Sequence, residues 1–169
     1  MKRRAFALPI PFALTAVLLV ACTQPAPRAA QPPSAARLVA SIQAAGAKAD
    51  SSLHVAPLRD PAVTRLLQRA HYQESLGKFA RAAATVDDAL KVTPDSPALL
   101  QDRAELAIRL GQYAQAEQLA RRSYALGPKT GGLCARNWQT VAEMRRIAGD
   151  AAGAKAAHQA LAHCVPKAG

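Results

Sequence analysis

Apolar residues recur at the spacing of an α-helix from about residue 60 to the end of the chain. This periodic pattern is interrupted at three glycines, Gly77, Gly111 and Gly149. Apolar positions three and four residues apart lie on one helix face, and glycine permits a tight turn between two helices. The pattern therefore predicts pairs of helices, each pair joined at one of these glycines.

Two of the predicted helix starts carry a specific signal. Asp60-Pro61 and Ser96-Pro97 each place an oxygen-bearing side chain directly before a proline. Such a side chain can accept a hydrogen bond from the free amides of the first turn, and proline fits the first helical position because its N–H is not needed there. We expect capped helices to begin at both sites.

The three glycines belong to a longer pattern that occurs three times. Gly77 and Gly111 are 34 residues apart, and Gly149 follows after 38. Two alanines and one proline stand at fixed distances from each glycine: Ala70, Ala82 and Pro94; Ala104, Ala116 and Pro128; Ala142, Ala154 and Pro166. Small residues let two helices approach closely, and proline ends the second helix. The four extra residues of the third unit fall near residues 128–132, where we expect a loop.

This pattern resembles the tetratricopeptide repeat, a helix-turn-helix unit of 34 residues. Phe79 and Tyr113 stand two residues after a glycine, where the repeat has an aromatic residue, and Trp138 holds the early tryptophan position of the third unit. The resemblance implies an all-α solenoid of about three antiparallel helix pairs over residues 63–168. Its units would be 63–96, 97–130 and 135–168.

One more helix is predicted before the repeats, within a segment that we place at residues 35–60. Leu38, Val39 and Ile42 share one side of a helix from Ala35 to about Ala49. Residues 51–58 look extended, and the sequence does not place them in the fold.

The first 34 residues resemble an export signal followed by a tether. Three basic residues precede an apolar stretch that prolines break, so it is too short for a membrane span of about 20 residues. The stretch ends at Leu19-Val20-Ala21-Cys22, which resembles the lipobox of bacterial lipoproteins. The resemblance implies that residues 1–21 are a signal peptide and that Cys22 is lipidated, with palmitate among its acyl chains. The Pro/Ala-rich residues 22–34 would form a disordered tether. A plain signal peptide with a chance cysteine is the alternative.

The lipobox resemblance also bears on location. In enteric bacteria an aspartate after the lipidated cysteine keeps such proteins in the inner membrane, and here Thr23 follows Cys22. The resemblance therefore implies a protein of the bacterial envelope, anchored in the outer membrane and facing the periplasm.

Composition and charge narrow the choice of partners. Half of the residues are apolar but only 4% are aromatic, which suits closely packed helices. The net charge is +11, and three of these charges leave with the signal. Such a charge favours anionic surfaces or an acidic partner. Nucleic acid is not expected, because the basic residues are scattered and no aromatic residues interleave with them to stack on bases.

Two cysteines remain after lipidation, Cys134 and Cys164. An exported chain lies in an oxidising compartment, so an even number of cysteines favours a disulfide between them, with two buried thiols as the alternative. The two residues stand at the start and the end of the last helix pair, whose ends are neighbours in an antiparallel arrangement. We expect the disulfide to stabilise a terminal unit that has lost one packing neighbour, and dimerisation through the bare face of that unit is the alternative.

The sequence offers no recognisable catalytic or metal-binding motif. His158 and His163 are five residues apart, a spacing that does not set two ligands on one helix face. There is neither a glycine-rich phosphate loop nor a nucleophile elbow. We therefore expect no enzymatic activity, no metal site and no cofactor.

The repeat resemblance implies a binding surface instead. Such repeats bind a peptide or helix along the concave face made by their first helices. The inward-facing positions of the family correspond here to Leu67, His71, Glu74, Gln101, Glu105, Arg109, Arg136, Gln139, Glu143 and Arg146. For each residue alone, an ordinary solvated helix face is the alternative. Arg109 and Arg146 occupy neighbouring positions of successive units, so we expect both to face one acidic segment.

Together these resemblances imply a tetratricopeptide-repeat lipoprotein that acts as a scaffold or adaptor for another envelope protein. The candidate systems are pilus assembly, secretion, outer-membrane assembly and the cell-wall machinery. The alternative is an accessory protein that binds anionic cell-wall polymer or the membrane surface and assists a cell-wall enzyme.

Overall fold

The computed structural model describes residues 33–50 and 60–165. Within these ranges the chain forms seven α-helices and no strand: α1 Ala35–Ala49, α2 Pro61–Ser75, α3 Phe79–Val92, α4 Pro97–Arg109, α5 Tyr113–Leu126, α6 Gly131–Ile147 and α7 Ala151–Ala162. The prediction of an all-α helical-repeat fold is confirmed. The predicted signal, Cys22, most of the tether, the segment 51–58 and the last residues of the third unit lie outside the described residues.

Helices α2–α7 form three consecutive pairs, and each pair turns at one of the predicted glycines. Gly77, Gly111 and Gly149 have φ angles of 69°, 73° and 77°, in the left-handed region that glycine adopts without steric cost. The six alanines expected at the helix crossings are all buried, so backbones pack closely there. The local pattern of the sequence thus specifies each pair.

The two predicted helix caps differ. Asp60 accepts a hydrogen bond from the Ala62 amide at 2.6 Å, with Pro61 in the first turn of α2. Ser96 precedes Pro97 at the start of α4, but its side chain makes no capping hydrogen bond. The prediction of a side-chain cap at Ser96 is therefore wrong, although the helix begins there.

The four extra residues of the third unit lengthen a helix, which corrects the prediction of a loop. Helix α6 has 17 residues, whereas the corresponding α4 has 13. Contacts from elsewhere in the chain hold its added first turn: the Gly131 amide donates to the Cys164 carbonyl at 2.7 Å, and the Gly132 amide donates to Asp50 Oδ1 at 2.8 Å. These partners satisfy amides that a helix start leaves free, so the glycine-rich stretch is helical from Gly131.

The last pair is closed by a disulfide in the structure. Cys134 in the first turns of α6 and Cys164 just after α7 are bonded, with their Cα atoms 5.5 Å apart. Both residues are fully buried, and Ala49, Ala135 and the partly buried Tyr124 pack around them. The bond therefore joins the two open ends of the terminal helix pair.

Helix α1 precedes the repeats in the chain, but it does not stack against the first of them. It lies across the second and third units. It contacts α6 most extensively and α4 to a lesser degree, and it makes no contact with α2. We call the side formed by the first helices α2, α4 and α6 the inner face. Helix α1 therefore covers the inner face of the second and third units and leaves that of the first unit uncovered.

Candidate functional site

The contact between α1 and the repeats is mainly apolar. Leu38, Val39 and Ile42 are at most 3% exposed and form one cluster with Ile108 of α4 and Met144 of α6. These three residues define the apolar side of α1 that the sequence predicts. Their burial explains why a helix placed before the repeats packs onto them.

Polar contacts fix the position of α1 along the inner face. Gln43 Nε2 donates to Glu105 Oε2 at 3.2 Å, and Ser41 Oγ donates to Glu143 Oε1 at 3.3 Å. Near the end of the helix, Gly46 lies so close to α6 that a Cβ atom there would be 2.7 Å from Arg136 Cγ. The lack of a side chain at Gly46 therefore allows the two helices to approach.

A groove of about 980 Å³ runs along the inner face between α1 and α2, with α4 beneath it. We call it the α1–α2 groove. Its apolar floor includes Val63, Leu67 and Leu99, which are buried and pack together. Such a volume is at the upper end of the range of about 300–1,000 Å³ that is usual for ligand sites.

Carboxylates dominate the charged side chains of this groove. Asp102 and Glu105 of α4 share the guanidinium of Arg136, at 2.9 and 2.8 Å. Burial alone lowers the pKa of Arg136, but the two carboxylates raise it more, so its net pKa shift is upward. Arg136 therefore stays charged and links α4 to α6.

Glu74 lies at the α2 side of the groove, and its carboxylate makes neither a hydrogen bond nor an ion pair within the described part of the chain. Burial raises the pKa of its carboxyl group, and the charges of Asp102 and Glu105 add to that change. The nearby His71 and the guanidinium of Arg109 oppose it. Two carboxylates and two basic groups therefore act on Glu74, but its carboxylate is not in direct ion-pair contact with a cation among the described residues.

Five of the ten predicted inward-facing residues line the α1–α2 groove: Leu67, His71, Glu74, Glu105 and Arg136. Gln101 instead lies fully buried beneath it, where its Nε2 donates to Glu105 Oε1 at 3.0 Å and to Thr140 Oγ1 at 2.9 Å. Gln139 and Glu143 hydrogen-bond to each other on α6, beside α1. The predicted set is therefore divided by α1.

The two arginines on which the prediction of an acidic partner rests do not line the groove. The Arg109 guanidinium lies 5.3 Å from the centre of the Phe79 ring, and Arg146 pairs with Glu143 at 2.8 Å. The charge of the groove itself, which is acidic, does not favour an acidic segment.

Sequence reasoning missed several groove residues. Asp50, Asp60 and Asp102 add carboxylates, and Gln43 and Gly46 come from α1. Asp102 stands one turn from Glu105 on α4, a spacing that indicates a shared face. No local signal indicates that Asp50 lies beside α6, because that contact joins residues 82 positions apart.

Residues 33–50 and 60–165 lack two features that would indicate other kinds of site. No helix there is long and apolar enough to cross a lipid bilayer. No group of three or more histidine, cysteine, aspartate or glutamate side chains there is arranged to hold a metal ion.

Comparison with known proteins supports the repeat architecture. A family model described as the tetratricopeptide repeat matches residues 75–128. Among solved structures, the globular C-terminal domain of LpoP from P. aeruginosa has 33% sequence identity and a TM-score of 0.58, over 62% of this chain and 99% of that one. The chain belongs to the bacterial tetratricopeptide-repeat proteins. No curated protein matches it.

For a tetratricopeptide-repeat protein, the inner face of this chain is only partly accessible. Repeats of this kind use the surface of their first helices for binding. Here α1 occupies that surface on the second and third units, and the α1–α2 groove is formed by the surface of α2, part of α4 and the edge of α1. The groove is therefore the candidate binding site.

Proposed function

We propose that this protein is a lipid-anchored adaptor of the bacterial envelope, whose α1–α2 groove binds a segment of another envelope protein. The groove is the observation that carries the proposal, because it combines an apolar floor with charged walls on the face that such repeats use for binding. The proposed role is binding and not catalysis, and it requires no cofactor.

The anchor in this proposal is Cys22, within Leu19-Val20-Ala21-Cys22. Residues 22–34 would span the distance from the membrane to α1, and Thr23 favours the outer membrane. The disulfide between Cys134 and Cys164 supports export, because such bonds persist in oxidising compartments such as the periplasm.

The partner is proposed to belong to the pilus, secretion, outer-membrane or cell-wall machinery. The similarity to the C-terminal domain of LpoP supports a globular repeat domain that follows an N-terminal segment, as in this chain. The partner is proposed to be a protein and not a nucleic acid.

Site-specific photo-crosslinking in cells tests the groove and leaves its carboxylates unchanged. A photoreactive amino acid replaces His71, which is exposed and lines the groove, or Gln118, which is exposed on the second-helix side in α5. We expect position 71 to crosslink to a defined envelope protein and position 118 not to do so. Equal crosslinking at both positions, or none at position 71, would contradict the proposal.

Fractionation of cells that produce the protein tests the proposed lipid anchor. Cys22→Ser should release the protein from the membrane fraction, because the thiol is then unavailable for lipidation. Retention of this variant in the membrane would refute the proposed anchor and leave the groove untouched.

A second candidate function has one observation in its favour. Arg65 and Arg69 of α2 and Arg81 of α3 are exposed, do not line the groove and form no ion pair in the described ranges. Such a surface favours binding to anionic polymer or lipid. If reversing the charge of these three residues abolishes function while the crosslink at position 71 persists, surface binding is required as well.

A further inference from the structure

The sign of the charge in the α1–α2 groove is opposite to that of the whole chain. Five carboxylates line it, from Asp50, Asp60, Glu74, Asp102 and Glu105, and Arg136 is the single guanidinium among the lining residues. The chain as a whole carries a net charge of +11. A local reversal of this kind creates a potential that differs from that of the surrounding surface.

Not all five carboxylates are equally available to a partner. Asp50 and Asp60 accept hydrogen bonds from backbone amides at helix starts, at 2.8 and 2.6 Å. Asp102 and Glu105 share Arg136. The Glu74 carboxylate has no such direct contact among the described residues, although His71 and Arg109 act on it from a greater distance, so it is the carboxylate most available to a cation from outside.

The apolar floor of the groove determines which side chains, besides a basic one, a partner segment needs. Val63, Leu67 and Leu99 form one apolar cluster that lines the groove, and each is at most 5% exposed. Helix α1 shows how the adjoining inner face holds a helix: apolar side chains enter the core, while Gln43 donates a hydrogen bond to Glu105. A segment with apolar residues and hydrogen-bond donors satisfies both requirements.

We propose that the α1–α2 groove docks a cationic segment of a partner protein, in which lysine or arginine side chains alternate with apolar ones. The apolar side chains contact the floor formed by Val63, Leu67 and Leu99, and a basic side chain pairs with Glu74. This inference rests on the proposed function, since it assumes that the groove is the binding site, and it specifies the chemistry of the partner.

Two synthetic helical peptides test the inference by fluorescence anisotropy with the full chain in detergent. They share one leucine pattern and carry either lysine or glutamate at the remaining positions. The net charge of the protein alone would favour the glutamate peptide. We expect tighter binding of the lysine peptide, because the local charge of the groove determines its affinity.

Charge-reversing variants show whether the lysine peptide occupies the groove. Glu74→Lys should weaken its binding by about tenfold, because an attraction becomes a repulsion at a half-buried position. The matched control Asp88→Lys changes an exposed carboxylate on α3 that does not line the groove, and it should leave the affinity nearly unchanged. If circular dichroism shows that Glu74→Lys perturbs folding, Glu74→Gln is measured in its place, and we expect it to cause a smaller loss of affinity for the lysine peptide.

Three outcomes overturn the inference. The first is tighter binding of the glutamate peptide than of the lysine peptide. The second is an equal loss of affinity for the lysine peptide in Glu74→Lys and Asp88→Lys. The third is binding of the lysine peptide only after Leu53 and Leu58 are both changed to serine. The last result would mean that the chain's own residues 51–59 occupy the groove. The crosslink at position 71 to an envelope protein is a separate measurement, so a partner segment that proves acidic would refute this inference and leave the proposed function standing.

Discussion

At the residue scale, two buried polar side chains distinguish the contact between the second and third units from the one before it. Ser123 and Asn137 are fully buried, whereas the matching positions one unit earlier are Ala89 and Leu99, which pack in one apolar cluster. Ser123 Oγ donates to the Pro97 carbonyl at 2.7 Å. Neither polar atom of the Asn137 side chain has a hydrogen-bond partner within the described residues.

Replacing Asn137 with leucine should stabilise the protein. A buried amide without hydrogen bonds costs on the order of 1–3 kcal/mol, and a cavity of about 130 Å³ beside Asn137 gives the larger side chain room. We expect Asn137→Leu to raise the melting temperature and the free energy of unfolding measured in urea. The reverse exchange one unit earlier, Leu99→Asn, should lower both. A lower melting temperature for Asn137→Leu would show that solvent or a ligand in this cavity satisfies the amide.

At the scale of elements, α1 behaves as an internal ligand of the repeats. Its buried side chains contact two first helices, and its last residues complete the start of α6 through Asp50. Burial of a large aliphatic side chain contributes roughly 1.5–3 kcal/mol, so Leu38, Val39 and Ile42 together hold α1 firmly. The position of α1 therefore defines one wall of the α1–α2 groove.

A charge placed on the buried side of α1 should detach this helix. Ile42 is 0% exposed, so Ile42→Asp would bury an unpaired carboxylate unless α1 leaves the inner face. We expect hydrogen exchange to show loss of amide protection in α1 and in the first turn of α6, with α2–α5 still protected. Ala44→Asp, on the exposed side of the same helix, should change little. Equal loss of protection in both variants would mean that helix propensity, and not docking, holds α1.

At the scale of the whole molecule, the domain ends in a helix pair whose outer side has no further repeat within the described residues. Helix α7 is rich in alanine and contributes only Ala154 and Ala157 as buried residues. Packing of α7 is therefore modest, and the disulfide between Cys134 and Cys164 constrains the same pair at its open end.

Reduction of this disulfide should destabilise the domain. The bond closes a loop with a sequence separation of 30, which corresponds to about 3.7 kcal/mol in the chain-entropy treatment. We expect the melting temperature to fall by at least several degrees in reductant, with α7 losing amide protection first. The double variant Cys134→Ser/Cys164→Ser should melt at the lower temperature in either condition. An unchanged melting temperature on reduction would show that packing alone secures α7.

The sequence by itself determined the features that depend on neighbouring residues. Apolar periodicity predicts the helices, the three glycines adopt the left-handed conformation at the turns, and alanines occupy the crossings. These features follow from backbone sterics and local packing, which act within one helix pair. The repeated spacing then implies the stacking of similar pairs, and the all-α fold follows.

Only the tertiary structure decided how distant segments meet. The apolar side of α1 is visible in the sequence, but its docking across α4 and α6 is not, since it joins residues far apart in the chain. That docking places Asp50 at the start of α6, covers the inner face of the second and third units and supplies one wall of the α1–α2 groove. The groove brings carboxylates of α2 and α4 and of the caps of α1 and α2 to one side of the molecule. Charge in a groove is the sum of contributions from separate elements, so a basic sequence can form an acidic site that its net charge does not indicate.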